Sequence, residues 1–155
     1  MRPIQSWFDE YGESHRNATN TAIHWVCVPV IYFCVVGLIA SIPSPVLGTD
    51  GPRHLWSGVL MGIVVAVYYP RSKPIALGMF LFTLLCFLVA LTVEKHAPWP
   101  LWSVCLVLFA LAWVGQFIGH HIEGKKPSFL KDLAFLLVGP AWLMAKLYRR
   151  FGIRY

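Results

Sequence analysis

Four long apolar segments dominate this chain of 155 residues and restrict what it can fold into. A helix needs about 20 apolar residues to cross the hydrocarbon core of a bilayer. Charged residues make up 13% of the chain, against about 25% in soluble domains, and are too few to cover a soluble fold. The sequence therefore predicts an all-α, polytopic membrane helix bundle forming a single integral membrane domain over residues 1–155. The four predicted spans are 21–42, 55–69, 75–93, and 99 or 101 to 119.

Two further segments flank the predicted spans. In the segment 4–15, Ile4, Trp7, Phe8 and Tyr11 follow i, i+3, i+4, i+7 spacing, which predicts a short amphipathic helix on the membrane surface. The apolar stretch 129–147 has basic residues near both ends and Gly139-Pro140 in its middle. It predicts an interfacial or re-entrant helix pair broken at Gly139-Pro140, with a fifth span as the alternative.

The basic residues predict how the chain is oriented in the membrane. With four spans and both termini in the cytoplasm, all of the 13 lysines and arginines except Arg53 and Lys95 fall on the cytoplasmic side. The net charge of +6 forms no stripe along the chain, so it indicates contact with anionic lipid and not with nucleic acid. The short termini favour a bacterial inner membrane, or the endoplasmic reticulum membrane in a eukaryote.

The predicted topology sorts the six histidines into two groups. His54 and His96 fall on the outer side, where an interfacial histidine is the simplest interpretation. The other four fall at or near the cytoplasmic ends of helices, and they are His15, His24, His120 and His121. Ionisable groups at this depth are costly, so they pair, line cavities or carry function. Four imidazoles at one depth therefore indicate a functional site.

Local spacing determines which of these histidines can meet. A helix break within 16–20, with Asn17 or Thr19 capping the following helix, would allow His15 to approach His24. Asn20 lies on the same predicted stripe as Asn17 and His24.

Towards the end of the fourth span, Gln116, His120 and Glu123 are four and three residues apart. His121 points about 100° away, so it joins them only if the helix ends or turns there; Gly119 and Gly124 make such a turn plausible. A site of imidazoles without thiolates suits iron, zinc, copper or nickel. Zinc hydrolysis stays open, although the chain has no HExxH motif.

Two stretches of the chain resemble the Mpo1-like family. They are YGESHRNATNTAIHW at 11–25 and WVGQFIGHHIEGKKP at 113–127, and a tail of the family's type follows at 133–143. The resemblance implies a membrane-embedded, iron(II)-dependent dioxygenase that uses dioxygen to shorten long-chain 2-hydroxy fatty acids by one carbon, a fatty acid α-oxidation.

The resemblance also implies the residues of the site. The expected catalytic iron ligands are His15, His24, His120 and His121. The expected cofactor-binding residues, which would orient the imidazoles, are Asn17, Asn20 and Glu123. The cations expected to attract the substrate carboxylate are Arg16, Lys125 and Lys126. Four bound imidazoles leave only two positions of an octahedron, so one histidine could lie outside the ligand set. The alternatives are a non-enzymatic lipid-binding or scaffolding membrane protein and a di-iron desaturase or hydroxylase.

Overall fold

The computed structural model describes residues 3–43, 54–124 and 135–155. All regular secondary structure in these ranges is helical, which confirms the predicted all-α fold. The helices are α1 (Ile4–Gly12), α2 (Ala18–Ala40), α3 (Leu55–Tyr68), α4 (Lys73–His96), α5 (Leu101–Glu123) and α6 (Val138–Arg150).

Three of these helices are long and apolar enough to cross a membrane: α2, α4 and α5, with 23, 24 and 23 residues. The second predicted span, 55–69, forms the shorter helix α3, whose 14 residues extend for only about 21 Å at 1.5 Å per residue. Helix α5 continues to Glu123, four residues past the predicted end at 119. This extension keeps His120, His121 and Glu123 on one continuous helix.

The break between His15 and His24 forms as predicted. Helix α1 ends at Gly12, and Asn17 caps α2 by accepting hydrogen bonds from the main-chain N–H groups of Thr19 and Asn20, at 2.8 and 3.2 Å. The side chain of Asn17 thus satisfies N–H groups that have no partner within the helix.

Replacing Asn17 by alanine removes this cap and is expected to lower the free energy of unfolding by about 1 kcal/mol. The neighbouring Thr19→Ala is the matched control, since only the main-chain N–H of Thr19 takes part in the cap. Thermal unfolding of both variants in the same detergent measures the difference. Equal unfolding midpoints for the two variants would contradict the role of the cap.

The predicted break at Gly139-Pro140 is instead the beginning of a helix. Helix α6 starts at Val138, so both residues lie in its first turn. Proline is tolerated there, because its missing N–H would have no partner within the helix. Residues 135–137, just before this helix, form a turn, and residues 129–134 of the predicted first helix lie outside the described residues.

Helices α2 and α5 run antiparallel and pack closely along their lengths. Glycines lie at the contacts. A Cβ atom on Gly115 would come within 2.6 Å of Cys27 Sγ, and one on Gly37 would come within 2.5 Å of Cys105 Sγ. Small residues let helix backbones approach in this way in membrane bundles. The close packing brings the beginning of α2 against the end of α5.

The other elements gather at the same end of the bundle. The Arg71 guanidinium, between α3 and α4, lies 4.5 Å from the centre of the Trp7 ring on α1. The Phe8 and Tyr155 rings are 6.2 Å apart, so α1 and Tyr155 lie together. We call this the histidine end, because His15, His24 and His120 lie there. His54 and His96 lie at the opposite ends of α3 and α4.

The outer surface of the bundle is apolar. Exposed leucines on α4 recur at positions 77, 81, 85 and 88, and α5 exposes Val107, Leu111, Val114 and Ile118. This spacing places each set along one side of its helix. Continuous apolar faces of this kind fit contact with lipid.

Candidate metal centre

Three histidines from separate parts of the chain meet at the histidine end. His15 lies in the linker between α1 and α2, His24 in the second turn of α2, and His120 in the last turn of α5. One ring nitrogen from each lies within 4.8 Å of those of the other two. The exposed fractions of the three side chains are 6%, 1% and 4%. The three imidazoles therefore form a compact, buried cluster.

Main-chain carbonyl groups orient two of the three rings. The Nδ1 atom of His15 lies 2.6 Å from the Tyr11 carbonyl oxygen, and that of His24 lies 2.9 Å from the Asn20 carbonyl oxygen. A carbonyl oxygen only accepts hydrogen bonds, so each Nδ1 carries the proton and each Nε2 presents a lone pair. Both Nε2 atoms are buried without a hydrogen-bond partner among the residues that the structure describes. A buried acceptor left in this way is costly, and a metal ion would satisfy it.

The environment of His15 favours its neutral form. The pKa of His15 is lowered from 6.5 to about 4, mainly because the side chain is buried and in smaller part because of the neighbouring His120 and Lys146. The hydrogen bond to Tyr11 and the charge of Glu123 act in the opposite direction, with smaller effect. The imidazole is therefore neutral at pH 7, which is the protonation state that a metal ligand requires.

Glu123 joins the end of α5 to the beginning of α2. Its Oε1 accepts a hydrogen bond from the Arg16 main-chain N–H at 3.0 Å. Its Oε2 accepts from the Asn17 main-chain N–H and from Asn20 Nδ2, both at 2.9 Å. Asn20 Nδ2 also donates to the Ser14 carbonyl oxygen at 3.0 Å. These bonds hold the linker that carries His15 against α5.

Of the three residues expected to orient the imidazoles, Asn20 contacts a histidine ring through its main-chain carbonyl, whereas Asn17 and Glu123 bind main-chain groups near the histidines. The sequence predicts that side chains of Asn17, Asn20 and Glu123 bond to the histidine rings, but carbonyl oxygens occupy the Nδ1 atoms of His15 and His24. The side chains of Asn17 and Glu123 are bound instead to N–H groups of the linker and of α2. Asn20 contributes through its carbonyl, while its buried Oδ1 faces Gly119, where a Cβ atom would collide with it.

The comparison with known proteins identifies the family. A family model described as "2-hydroxy-palmitic acid dioxygenase Mpo1-like" matches residues 1–151. The chain belongs to the Mpo1-like family. The match confirms the resemblance found in the sequence, and the family name indicates a dioxygenase. No curated protein and no solved structure matches the chain.

The structure separates one predicted ligand from the site of this Mpo1-like chain. His121 is exposed, while the adjacent His120 is buried with His15 and His24. Consecutive residues on a helix point about 100° apart, and α5 continues past both histidines before Gly124 ends it with φ of 74°. Because the helix ends only after both histidines, no turn between them directs His121 towards the cluster. Lys125 and Lys126 lie outside the described residues.

Gln116, one turn before His120 on α5, lines a small cavity of the Mpo1-like fold. The cavity lies between α2, α5 and α6 and has a volume of about 30 Å³, with Val28, Trp113 and Pro140 among its other walls. This is room for a water-sized molecule.

Two aromatic side chains cover His15, and neither of them is among the site residues predicted from the sequence. Tyr11 stacks on the His15 ring with 4.1 Å between the ring centres, and Trp142 on α6 lies 5.4 Å from it. Tyr11 lies four residues before His15, and the turn that follows α1, in which the Ser14 N–H donates to the Tyr11 carbonyl, brings the two rings together. Trp142 is distant in sequence, and no local pattern connects it to the histidines.

Proposed function

We propose that this protein is a membrane-embedded, iron(II)-dependent dioxygenase that converts long-chain 2-hydroxy fatty acids into acids one carbon shorter. The observation that carries the proposal is the buried cluster of His15, His24 and His120, in which two Nε2 atoms have no hydrogen-bond partner among the described residues. The family name supplies the reaction class.

The donor set fits iron. Neutral imidazoles without thiolates suit iron, zinc, copper and nickel, and zinc has no redox chemistry to offer a dioxygenase. Three imidazoles leave open positions for other ligands. Glu123 is not counted as a ligand, because both of its carboxylate oxygens accept hydrogen bonds. When bound, iron would supply the activation of dioxygen next to the hydroxyl and carboxylate of the substrate.

The protein groups have separate tasks in this proposal. The carbonyl groups of Tyr11 and Asn20 keep the proton on Nδ1, so that His15 and His24 present Nε2. The rings of Tyr11 and Trp142 exclude water from the His15 side. The cluster lies near one end of the apolar helices, at the depth where a fatty acid in a bilayer carries its carboxylate and its 2-hydroxyl. The alkyl chain can therefore stay in the membrane during the reaction.

The proposed reaction balances without another oxidant or reductant. The bond between C1 and C2 of the hydroxy acid breaks, and four electrons pass from these carbons to one dioxygen. The products are the shorter acid, formed from C2, with one carbon dioxide and one water.

We also propose that the histidine end faces the cytoplasm. The described basic residues at that end are Arg16, Arg71, Lys73, Lys146, Arg149, Arg150 and Arg154, whereas Lys95 lies at the other end. The positive-inside rule supports this orientation. A bacterial inner membrane, or the endoplasmic reticulum membrane in a eukaryote, would suit it.

The activity can be tested with iron-loaded protein in detergent. Incubation with 2-hydroxypalmitic acid under air is expected to yield the acid that is one carbon shorter, detected by mass spectrometry. Palmitic acid, which lacks the hydroxyl, and His24→Ala protein are the controls, and neither should give product. If iron-replete protein leaves the hydroxy acid intact, the proposed substrate is wrong.

A further inference from the structure

A groove with basic side chains runs between α1 and α6, beside the histidine cluster. Its volume is about 420 Å³, and Phe8, Arg16, Trp142, Lys146 and Arg149 are among its lining residues. On α6, Trp142, Lys146 and Arg149 are four and three residues apart, so they share one face of the helix. Neither the proposed metal centre nor the packing of the bundle accounts for this set of cations.

Lys146 connects the groove with the metal centre. Its Nζ lies 3.6 Å from the centre of the Trp142 ring, and the same indole lies 5.4 Å from the His15 ring. Trp142 is therefore a shared wall between the Lys146 ammonium and the histidine cluster. A cation held against an aromatic face in this way is partly removed from water.

Among the described residues, the surroundings of Lys146 disfavour its charged form. Burial and the neighbouring Arg149 charge both lower the pKa of Lys146, and no described carboxylate raises it. Asp9 and Glu13 also border the groove, but both are exposed on the α1 side, and Asp9 already accepts a hydrogen bond from Gln5 at 2.7 Å. An incoming anion would gain most at Lys146, since a partly desolvated pair interacts more strongly than an exposed one.

We propose that this groove binds the carboxylate of the 2-hydroxy fatty acid, with Lys146 as its main partner and with Arg149 and Arg16 at the rim. The proposal rests on the proposed function, and it makes Lys146 the residue that selects an acid over an uncharged amphiphile. Binding here places the polar head of the substrate against Trp142, whose ring centre lies 5.4 Å from that of His15. The head group of an anionic phospholipid has related chemistry, so the test includes one.

The test is a binding titration with metal-free protein in detergent. The ligands are 2-hydroxypalmitic acid, hexadecane-1,2-diol and phosphatidylglycerol. The diol has the same chain length and a 2-hydroxyl but no carboxylate, and phosphatidylglycerol is the anionic phospholipid. We expect Lys146→Gln to weaken binding of the acid about tenfold, equivalent to about 1.4 kcal/mol, and to leave binding of the diol unchanged. Lys146→Arg should restore most of the preference for the acid. Arg150→Gln, an exposed cation on the same helix outside the groove, should have no effect.

Three results would overturn the proposal. Equal weakening of acid and diol by Lys146→Gln would mean that Lys146 serves packing alone. Equal effects of Lys146→Gln and Arg150→Gln would indicate diffuse surface charge. A loss of phosphatidylglycerol binding as large as the loss of acid binding would indicate a phospholipid site. Because the protein is metal-free, these results do not depend on whether the iron-loaded protein cleaves the acid, so the two proposals can fail separately.

Discussion

The substitution His120→Ala is expected to abolish tight iron binding, while His121→Ala is expected to leave it intact. His120 is buried against His15 and His24, whereas His121 is exposed on the other side of α5. Loss of residues that merely support a ligand already costs 10–100-fold in metal affinity, so the loss of a ligand should cost at least about 100-fold. Sequence similarity alone assigns both histidines to the metal.

The adjacent pair provides its own control. Both substitutions remove the same chemical group from the same turn of the same helix, but His120 is buried and His121 is exposed, so the folding of each variant is measured beside its iron affinity. Iron titration of the two purified variants, with circular dichroism to check helix content, measures the difference. Equal loss of iron in both variants would contradict the three-histidine site and return His121 to the ligand set.

Replacing Glu123 by alanine is expected to weaken metal binding by about 10–100-fold, although no ligand is removed. The substitution leaves three N–H groups without their acceptor: the main-chain N–H groups of Arg16 and Asn17, and Nδ2 of Asn20. Hydrogen bonds to a charged group contribute roughly 1.5–3 kcal/mol each, so the linker that carries His15 should lose its fixed position.

Glu94→Ala is the matched control for Glu123→Ala. Glu94 is an exposed glutamate near the end of α4 that lies away from the histidine end. Glu123→Gln keeps one acceptor oxygen and should give an intermediate affinity. Iron titration and thermal unfolding of the three variants measure the effect. Full iron affinity in Glu123→Ala, at an unchanged unfolding midpoint, would show that the carboxylate does not position His15.

The fold could be predicted from the sequence where the physical signal is local. The apolar segments specify helices by composition and length, and the polar cluster at 16–20 predicts the break that brings His15 towards His24, because Asn17 is a strong helix cap. The predicted break at Gly139-Pro140 is wrong for a local reason as well, since this pair fits both a break within a helix and the first turn of one.

The candidate site could be predicted only in part. Its residue types and its place at one end of the bundle follow from the spans, but the choice between His120 and His121 depends on where α5 ends. The partners of Glu123 are 103 to 107 residues away in the sequence. The approach of Trp142 and Lys146 to His15 likewise comes from the packing of α6 against α1, which no periodicity within either helix encodes.

The central claim is that three imidazoles form one mononuclear iron site. The most direct measurement is the iron content of the purified, iron-reconstituted protein, combined with X-ray absorption spectroscopy to count the imidazole ligands. We expect one iron per chain with three imidazole nitrogens. A protein that retains no iron would contradict the account and favour a non-enzymatic lipid-binding protein, and a ratio near two would point to a di-iron centre.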